Sequence, residues 1–117
     1  MKKLIIYSYS KCSTCRKALT WLDQKDFKYQ LIDIVKEPPS SKYLEMALKQ
    51  FSENKKKIFN TRGKSIKLID FDLYISSNER IIESLLSDGK LIKRPFVVYG
   101  EKIILGFSES EYTNHFE

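Results

Sequence analysis

The chain of 117 residues has few of the residues on which small stapled or metal-bound proteins depend. It contains two cysteines, one histidine, four glycines and three prolines. Two cysteines exclude a disulfide framework, and a chain of this length buries a hydrophobic core without one. A structural zinc site needs four ligands, and His115 is the single histidine beside the two thiols. We therefore expect no metal site.

Long hydrophobic runs are also missing. Residues 1–3 are followed by too few apolar residues for a signal peptide, and no later run could span a bilayer. We expect a cytoplasmic monomer without membrane contact. The net charge of +6 is a moderate basic excess. Part of it comes from Lys55, Lys56 and Lys57, which read as a solvated turn without any nucleic-acid motif, so we expect no direct contact with DNA.

What the sequence does contain is a Cys-x-x-Cys pair directly after a short apolar run. Residues 4–7 predict a buried strand, and Cys12 then opens a helix. A cysteine there faces unpaired backbone N–H groups and the positive end of the helix dipole, which favour its thiolate. Cys15 begins the apolar stripe of the same helix, so its sulfur should be less exposed. We predict that Cys12 attacks and that Cys15 resolves.

The residues around the pair suit an anion. Lys11, Arg16 and Lys17 supply positive charge that favours the thiolate and attracts an anionic substrate. Ser13 and Thr14, at the helix N-terminus, would hold the transient anion. In a cytoplasmic chain this spacing indicates redox chemistry or metal rather than a structural disulfide.

The rest of the pattern predicts a single α/β domain over residues 1–117. Residues 27–35 form a second strand parallel to the first, and a helical insert occupies about residues 40–90. The insert includes a helix after Pro38 and Pro39, a short helix near Ile66 and Ile69, and a helix opened by a capping box at residues 76–79. A hairpin of residues 96–98 and 103–105 follows, and a capping box at residues 108–111 opens the last helix. The order βαβ, insert, ββα is a thioredoxin-like fold with a central mixed sheet flanked by helices.

Pro95 opens the strand that follows the insert. Thioredoxin folds place a cis-proline at this point beside the Cys-x-x-Cys pair. We therefore predict a cis bond between Arg94 and Pro95, with Arg94 near Cys12 and Pro95 in the substrate site.

Four segments together resemble the ArsC/Spx family of thioredoxin-fold proteins, which includes arsenate reductases and regulators of the Spx and MgsR type. They are residues 12–18, Pro38-Pro39, Phe59-Asn60-Thr61 and residues 91–95. In the arsenate reductases a cysteine attacks arsenate, arginines hold the oxyanion, and glutathione with glutaredoxin restores the enzyme. The resemblance assigns Cys12 to that nucleophile and Arg94 to one of those arginines. The other arginines of the set are expected near Asn60 and near Gly106 and are missing, although Arg62 is close to the first of these positions.

In the Spx branch the resemblance implies a different role. A Cys-x-x-Cys pair there acts as a redox switch, and the protein binds the C-terminal domain of the RNA polymerase α-subunit. Cys12 and Cys15 match that pair, but residues 51–59 lack the glycine that Spx uses in its polymerase contact. We predict a thiol–disulfide oxidoreductase with no bound cofactor, reduced by glutathione or by a thioredoxin- or glutaredoxin-like protein. A redox-switched regulator of transcription is the alternative.

Overall fold

The computed structural model of the chain describes residues 2–62 and 76–117. These residues form an α/β fold with the predicted order of elements. The short helix predicted near Ile66 and Ile69 lies outside the described residues. The strands and helices are β1 (Leu4–Ser8), α1 (Ser13–Gln24), β2 (Gln30–Asp33), α2 (Ser41–Gln50), α3 (Asn78–Ser87), β3 (Phe96–Tyr99), β4 (Lys102–Leu105) and α4 (Glu109–Phe116), with 3₁₀ helices at Lys55–Ile58 and Gly89–Leu91.

The four strands form one mixed sheet in the order β2-β1-β3-β4. β1 is parallel to β2, as the βαβ prediction requires, and β3 is antiparallel to both β1 and β4. Tyr7 near the end of β1 lies opposite Phe96 at the start of β3. The segment with the thiols, which follows β1, and the segment with Arg94, which precedes β3, therefore lie at the same end of these two strands.

Both faces of the sheet are covered. In β1, Ile5 and Tyr7 face one hydrophobic cluster, which includes the buried residues of α2 and α3. Leu4 and Ile6 face a second cluster with α1 and α4. This is why all five residues of β1 are buried and why its sequence is apolar without alternation.

The second strand is shorter than predicted. Phe27 lies outside it, because its N–H donates to the Leu22 carbonyl at 3.0 Å and its ring stacks on Trp21 at 6.0 Å. Asp26, with a φ of 59°, makes the turn that ends α1. At the other end the Asp33 carboxylate accepts the N–H groups of residues 35 and 36, which turns the chain out of the sheet. Residues 27–35 therefore divide into a helix-ending turn, a four-residue strand and a second turn.

Serine side chains cap the later helices. Ser108 accepts the Glu111 N–H at 3.4 Å, as the second capping box predicts. In α3 the cap is Ser77, one residue later than the predicted box begins, and it accepts the Arg80 N–H at 3.3 Å. Within the described ranges, no helix combines the length and the apolarity that crossing a membrane requires.

Candidate active site at the start of the first helix

Cys12 lies at the N-cap of α1, not at the first helical residue as the sequence suggested. Its φ of −101° and ψ of 115° are extended, and the helix begins at Ser13. The Cys12 Sγ accepts the backbone N–H of Cys15 at 3.3 Å. An N-cap side chain normally accepts such a bond through a serine, threonine or aspartate oxygen. Here the sulfur of Cys12 takes that place, and the N–H groups of the first turn would stabilise a negative charge on it.

The electrostatics of Cys12 favour the thiolate. Burial by itself would raise the pKa of Cys12, since the side chain is half-buried. Hydrogen bonds from the Cys15 thiol and from the Cys15 backbone N–H outweigh that effect, together with a hydrogen bond and the charge of Arg94. The net result is a pKa of Cys12 below its ordinary value, which favours the thiolate form that acts as a nucleophile.

Cys15 lies in the opposite kind of environment. Its side chain is fully buried in the first turn of α1. Burial, followed by the hydrogen bond that its thiol makes to Cys12, raises the pKa of Cys15 to about 11, and hydrogen bonds from the Tyr9 backbone and the Ser8 side chain offset only part of this rise. Both cysteines are free thiols in this structure. The environment of Cys15 therefore favours the protonated thiol.

Arg94 and Pro95, which follow the insert in the sequence, are the other residues of the site. The Arg94–Pro95 bond is cis, which confirms the prediction from sequence. Pro95 is buried, and its carbonyl accepts the Gly106 N–H at 3.0 Å. The Arg94 guanidinium lies close enough to Cys12 to lower the pKa of its thiol. It donates from Nη1 to the Lys90 carbonyl at 3.3 Å and lies 5.2 Å from the centre of the Tyr9 ring.

The other residues predicted for the site lie along the first turns of α1. Ser13 and Arg16 are exposed and line a groove of about 470 Å³ together with Lys17 and Phe107. The Arg16 Nη1 is 3.5 Å from the Ser10 carbonyl, so this guanidinium turns toward the loop that precedes Cys12. Thr14 is half-buried in the same turn and is not among the residues of the groove.

Sequence reasoning did not connect two segments that the structure joins beside the site. The Asn60 N–H donates to the Leu91 carbonyl and the Lys93 N–H to the Ile58 carbonyl, both at 2.8 Å. The Asn60 Nδ2 also donates to the Lys90 carbonyl at 3.3 Å. The segments Phe59-Asn60-Thr61 and Leu91–Pro95 therefore form one unit. Both segments are among those that carry the family resemblance, but nothing in the sequence indicates that they are in contact.

Tyr9 is the other residue that sequence reasoning missed. It follows β1 in a turn of serine and lysine, where a large aromatic side chain has no obvious partner. In the structure it is half-buried against the first hydrophobic cluster, and its carbonyl accepts the Cys12 N–H at 3.0 Å. No three histidine, cysteine, aspartate or glutamate side chains of residues 2–62 and 76–117 are grouped so that they could share a metal ion.

Known proteins are similar to nearly the whole of this chain. The sequence is 39% identical over 111 residues to the uncharacterized protein YusI of Bacillus subtilis, an alignment that covers 93% of this chain and 94% of YusI. It is 26% identical to the global transcriptional regulator Spx of Listeria innocua, over 91% of this chain and 81% of Spx. The crystal structure of a protein from Streptococcus mutans UA159, called a possible arsenate reductase, superposes with a TM-score of 0.88 at 36% identity. That superposition covers 99% of this chain and all of the other.

The sequence pattern that defines the ArsC family matches residues 7–115. The match begins inside β1, includes both thiols, Arg94 and Pro95, and ends in α4. The chain belongs to the ArsC family.

Proposed function

We propose that this protein is a thiol–disulfide oxidoreductase in which Cys12 is the nucleophile and Cys15 the resolving thiol. The observation that carries the proposal is the different placement of two sulfurs three residues apart: the Cys12 sulfur accepts the Cys15 N–H at the N-cap of α1, and the Cys15 side chain is fully buried. Cys12 is held toward the thiolate at a helix N-cap, and Cys15 is held as a thiol by burial. An attacking group has to be ionised at the start of the reaction, whereas a resolving group has to be ionised only after the first step.

The reaction begins with attack of the Cys12 thiolate on one sulfur of a substrate disulfide. The S–S bond of the substrate breaks, and one half leaves as a thiolate that takes up a proton. Cys15 then loses its proton and attacks the Cys12 sulfur, which breaks the mixed disulfide and releases the second half as a thiol. The substrate gains two electrons and two protons, and the protein is left with a Cys12–Cys15 disulfide. Glutathione or a cytoplasmic dithiol protein of the thioredoxin or glutaredoxin kind returns the pair to the reduced state.

The site favours a disulfide over an oxyanion such as arsenate as substrate. Tetrahedral oxyanions are held by several planar, bidentate donors, and arginine is the side chain that supplies them. Arg94 donates to the Lys90 carbonyl, and its charge also lowers the pKa of Cys12. The Asn60 side-chain amide also donates to that carbonyl. The partly engaged guanidinium of Arg94 is enough to stabilise a thiolate leaving group but is by itself a weak cradle for an oxyanion.

The proposed roles of the remaining residues follow from their places. Ser13 and the exposed Arg16 follow the two cysteines closely in the sequence and would contact the substrate, with Thr14 in the same turn. Pro95, buried at the start of β3, would form the opposite wall of the site.

The test combines a reduction potential with turnover. Equilibration in glutathione or dithiothreitol buffers, followed by alkylation of free thiols, gives the potential of the Cys12–Cys15 pair. We expect a value of about −200 to −270 mV, the range of cytoplasmic oxidoreductases. Turnover of a disulfide substrate with a thioredoxin or glutaredoxin system, and no turnover of arsenate, is the expected activity. Turnover of neither substrate would contradict the proposal.

A second function is favoured by the similarity to Spx, which covers nearly the whole chain. In that role the same disulfide would switch a surface that binds the C-terminal domain of RNA polymerase α. The distinguishing measurement is a binding assay between this protein and that domain, in reduced and in oxidised form. A redox-dependent complex together with absent turnover would establish the regulator, whereas absent binding would exclude it.

A further inference from the structure

Arg94 is the group that brings charge to Cys12 from a distant part of the chain, and its guanidinium is held on two further sides. One side is the Tyr9 ring, whose centre lies 5.2 Å from the guanidinium carbon. The other is the Lys90 carbonyl, 3.3 Å from Nη1. A guanidinium over an aromatic ring is attracted by the negative face of the ring, and the carbonyl fixes its rotation.

Tyr9 is tied to the thiol through its backbone as well as through its ring. Its carbonyl accepts the Cys12 N–H at 3.0 Å, so the ring and the sulfur belong to the same tight turn. The ring is half-buried against the hydrophobic cluster below the sheet, which limits its rotation. The distance between this ring and Cys12 is therefore set by local structure, and Arg94 docks against it from outside.

The Lys90 carbonyl is also fixed. The Lys90 N–H donates to the Asp88 carboxylate at 2.9 Å, and the preceding Gly89 packs directly on the backbone of Ile34. The carbonyl accepts from Asn60 Nδ2 as well as from Arg94, both at 3.3 Å, which uses its two lone pairs. Asn60 is in turn held by its backbone bond to the Leu91 carbonyl.

We propose that Tyr9 and the Asn60-supported carbonyl of Lys90 are positioning groups that keep the Arg94 guanidinium against the sulfur of Cys12. Neither group touches the substrate; both act through Arg94. The inference deepens the proposed function, since it names what prepares its nucleophile. It is tested without turnover, so the two can fail separately.

The experiment measures how fast iodoacetamide alkylates Cys12 of the reduced protein as a function of pH, with peptide mass spectrometry to identify the modified thiol. In Tyr9→Leu the guanidinium loses its ring. We expect alkylation about two- to fivefold slower near pH 6, which corresponds to the usual strength of an exposed cation–π contact. The rates should converge at alkaline pH, where Cys12 is ionised in every variant. A residue that merely supports packing would not produce this pH-dependent pattern.

Three variants serve as controls. Tyr9→Phe keeps the ring and should restore the wild-type profile. Tyr29→Leu removes a half-buried tyrosine whose hydroxyl bonds Asp23 at the end of α1, and it should leave the profile unchanged. Asn60→Ala removes one of the two donors to the Lys90 carbonyl and should change the profile in the same direction as Tyr9→Leu, by less.

The decisive comparison is made in an Arg94→Gln background. If Tyr9 acts through Arg94, Tyr9→Leu has no further effect once the guanidinium is gone. An equal effect of Tyr9→Leu with and without Arg94 would overturn the proposal, and so would an unchanged profile in Tyr9→Leu. Should Tyr9→Leu fail to fold, Tyr9→Met, which refills the volume without a ring, carries the same expectation. Normal profiles in all variants of a protein that turns over disulfides would refute the positioning role alone.

Discussion

The two thiols share one helix turn and yet differ in almost every physical respect. Cys12 is half-buried at the N-cap, with its sulfur facing a backbone N–H and Arg94. Cys15 is fully buried beneath it and has a pKa raised to about 11. The difference shows that closeness to the helix N-terminus is not sufficient to activate a thiol. Activation depends on which side of the first turn the sulfur occupies.

The arginine that lowers the pKa of Cys12 is not the one that is close to the thiols in the sequence. Arg16 lies next to Cys15 in the sequence, but its guanidinium turns toward the Ser10 carbonyl. Arg94 is remote in the sequence, and its hydrogen bond and charge lower the pKa of Cys12. The two thiols therefore differ in pKa partly because the fold brings a distant arginine to Cys12. The predictions that follow test that asymmetry.

The largest effect is expected from Cys12→Ser. Serine is a good N-cap residue, so it should keep the bond to the Cys15 N–H and leave α1 intact. Rapid alkylation near neutral pH and turnover of disulfides should both be lost, because Cys15 remains a buried thiol. Circular dichroism checks the fold, and mass spectrometry checks alkylation. Alkylation of Cys15 at the rate that Cys12 has in the wild-type protein would contradict the difference in reactivity between the two thiols.

Cys15→Ser should leave the attack intact and remove the resolution. A reduced variant treated with a disulfide substrate should then stop as a mixed disulfide on Cys12, visible as a mass increase of one substrate half. Release of that half should require added thiol. The wild-type protein under the same conditions should pass to the internal disulfide. Repeated turnover by this variant at the wild-type rate would contradict the resolving role.

The pKa of Cys12 is lowered both by its own helix and by Arg94, which is held by the Lys90 carbonyl. A substitution at Gly89 tests the second of these two contributions. Gly89 has no room for a side chain, because an added Cβ would lie 2.0 Å from the Ile34 carbonyl oxygen. Gly89→Ala should therefore lower the free energy of unfolding by about 2–3 kcal/mol and displace the neighbouring Lys90 carbonyl. Alkylation of Cys12 near pH 6 should become slower, while Cys15 stays unreactive.

The matched control is Gly100→Ala at the other end of the sheet, in the turn between β3 and β4. Gly100 has a φ of 62°, so alanine there is strained by about 1 kcal/mol but is far from the thiols. Urea unfolding gives the stabilities of both variants. If Gly100→Ala slowed alkylation of Cys12 as much as Gly89→Ala, the effect would be one of general stability and not of the remote segment.

Much of the fold could be predicted from the sequence, because its elements are marked by local patterns. The apolar run of β1, the stripe that begins at Cys15 and the serine cap at Ser108 all lie where those patterns indicate. The second strand was predicted too long, because Phe27 is apolar enough for a strand but stacks on Trp21 at the end of α1. A pattern of apolar residues does not distinguish these two kinds of burial.

The site was predictable in its local part only. The thiols and Arg94 could be named, because Cys-x-x-Cys and Arg-Pro are recognisable motifs. The contacts of Tyr9 and Asn60 could not be predicted, since they are made with Arg94 and with the Lys90 carbonyl, and a carbonyl has no signature in the sequence. No short stretch of sequence indicates which distant segments will be in contact in the folded chain.

The smallest effect is a pH dependence of stability that comes from Cys15. Its folded-state pKa of about 11 lies above the ordinary value, so the folded protein keeps a proton that the unfolded chain releases. This contribution to stability is complete below the unfolded pKa and is lost as the pH rises toward 11. Cys12 has the opposite shift, and its contribution is lost as the pH falls.

Urea unfolding of the reduced protein at pH 8 and pH 10 measures this contribution, with Cys15→Ala as the comparison. Alanine leaves a cavity at both pH values, so only the change between them is informative. We expect the wild-type protein to lose about 1–2 kcal/mol more than the variant over this interval. An equal loss in the two proteins would mean that Cys15 titrates as it does in the unfolded chain. The buried thiol would then not differ from Cys12 in the way that the proposed order of attack and resolution requires.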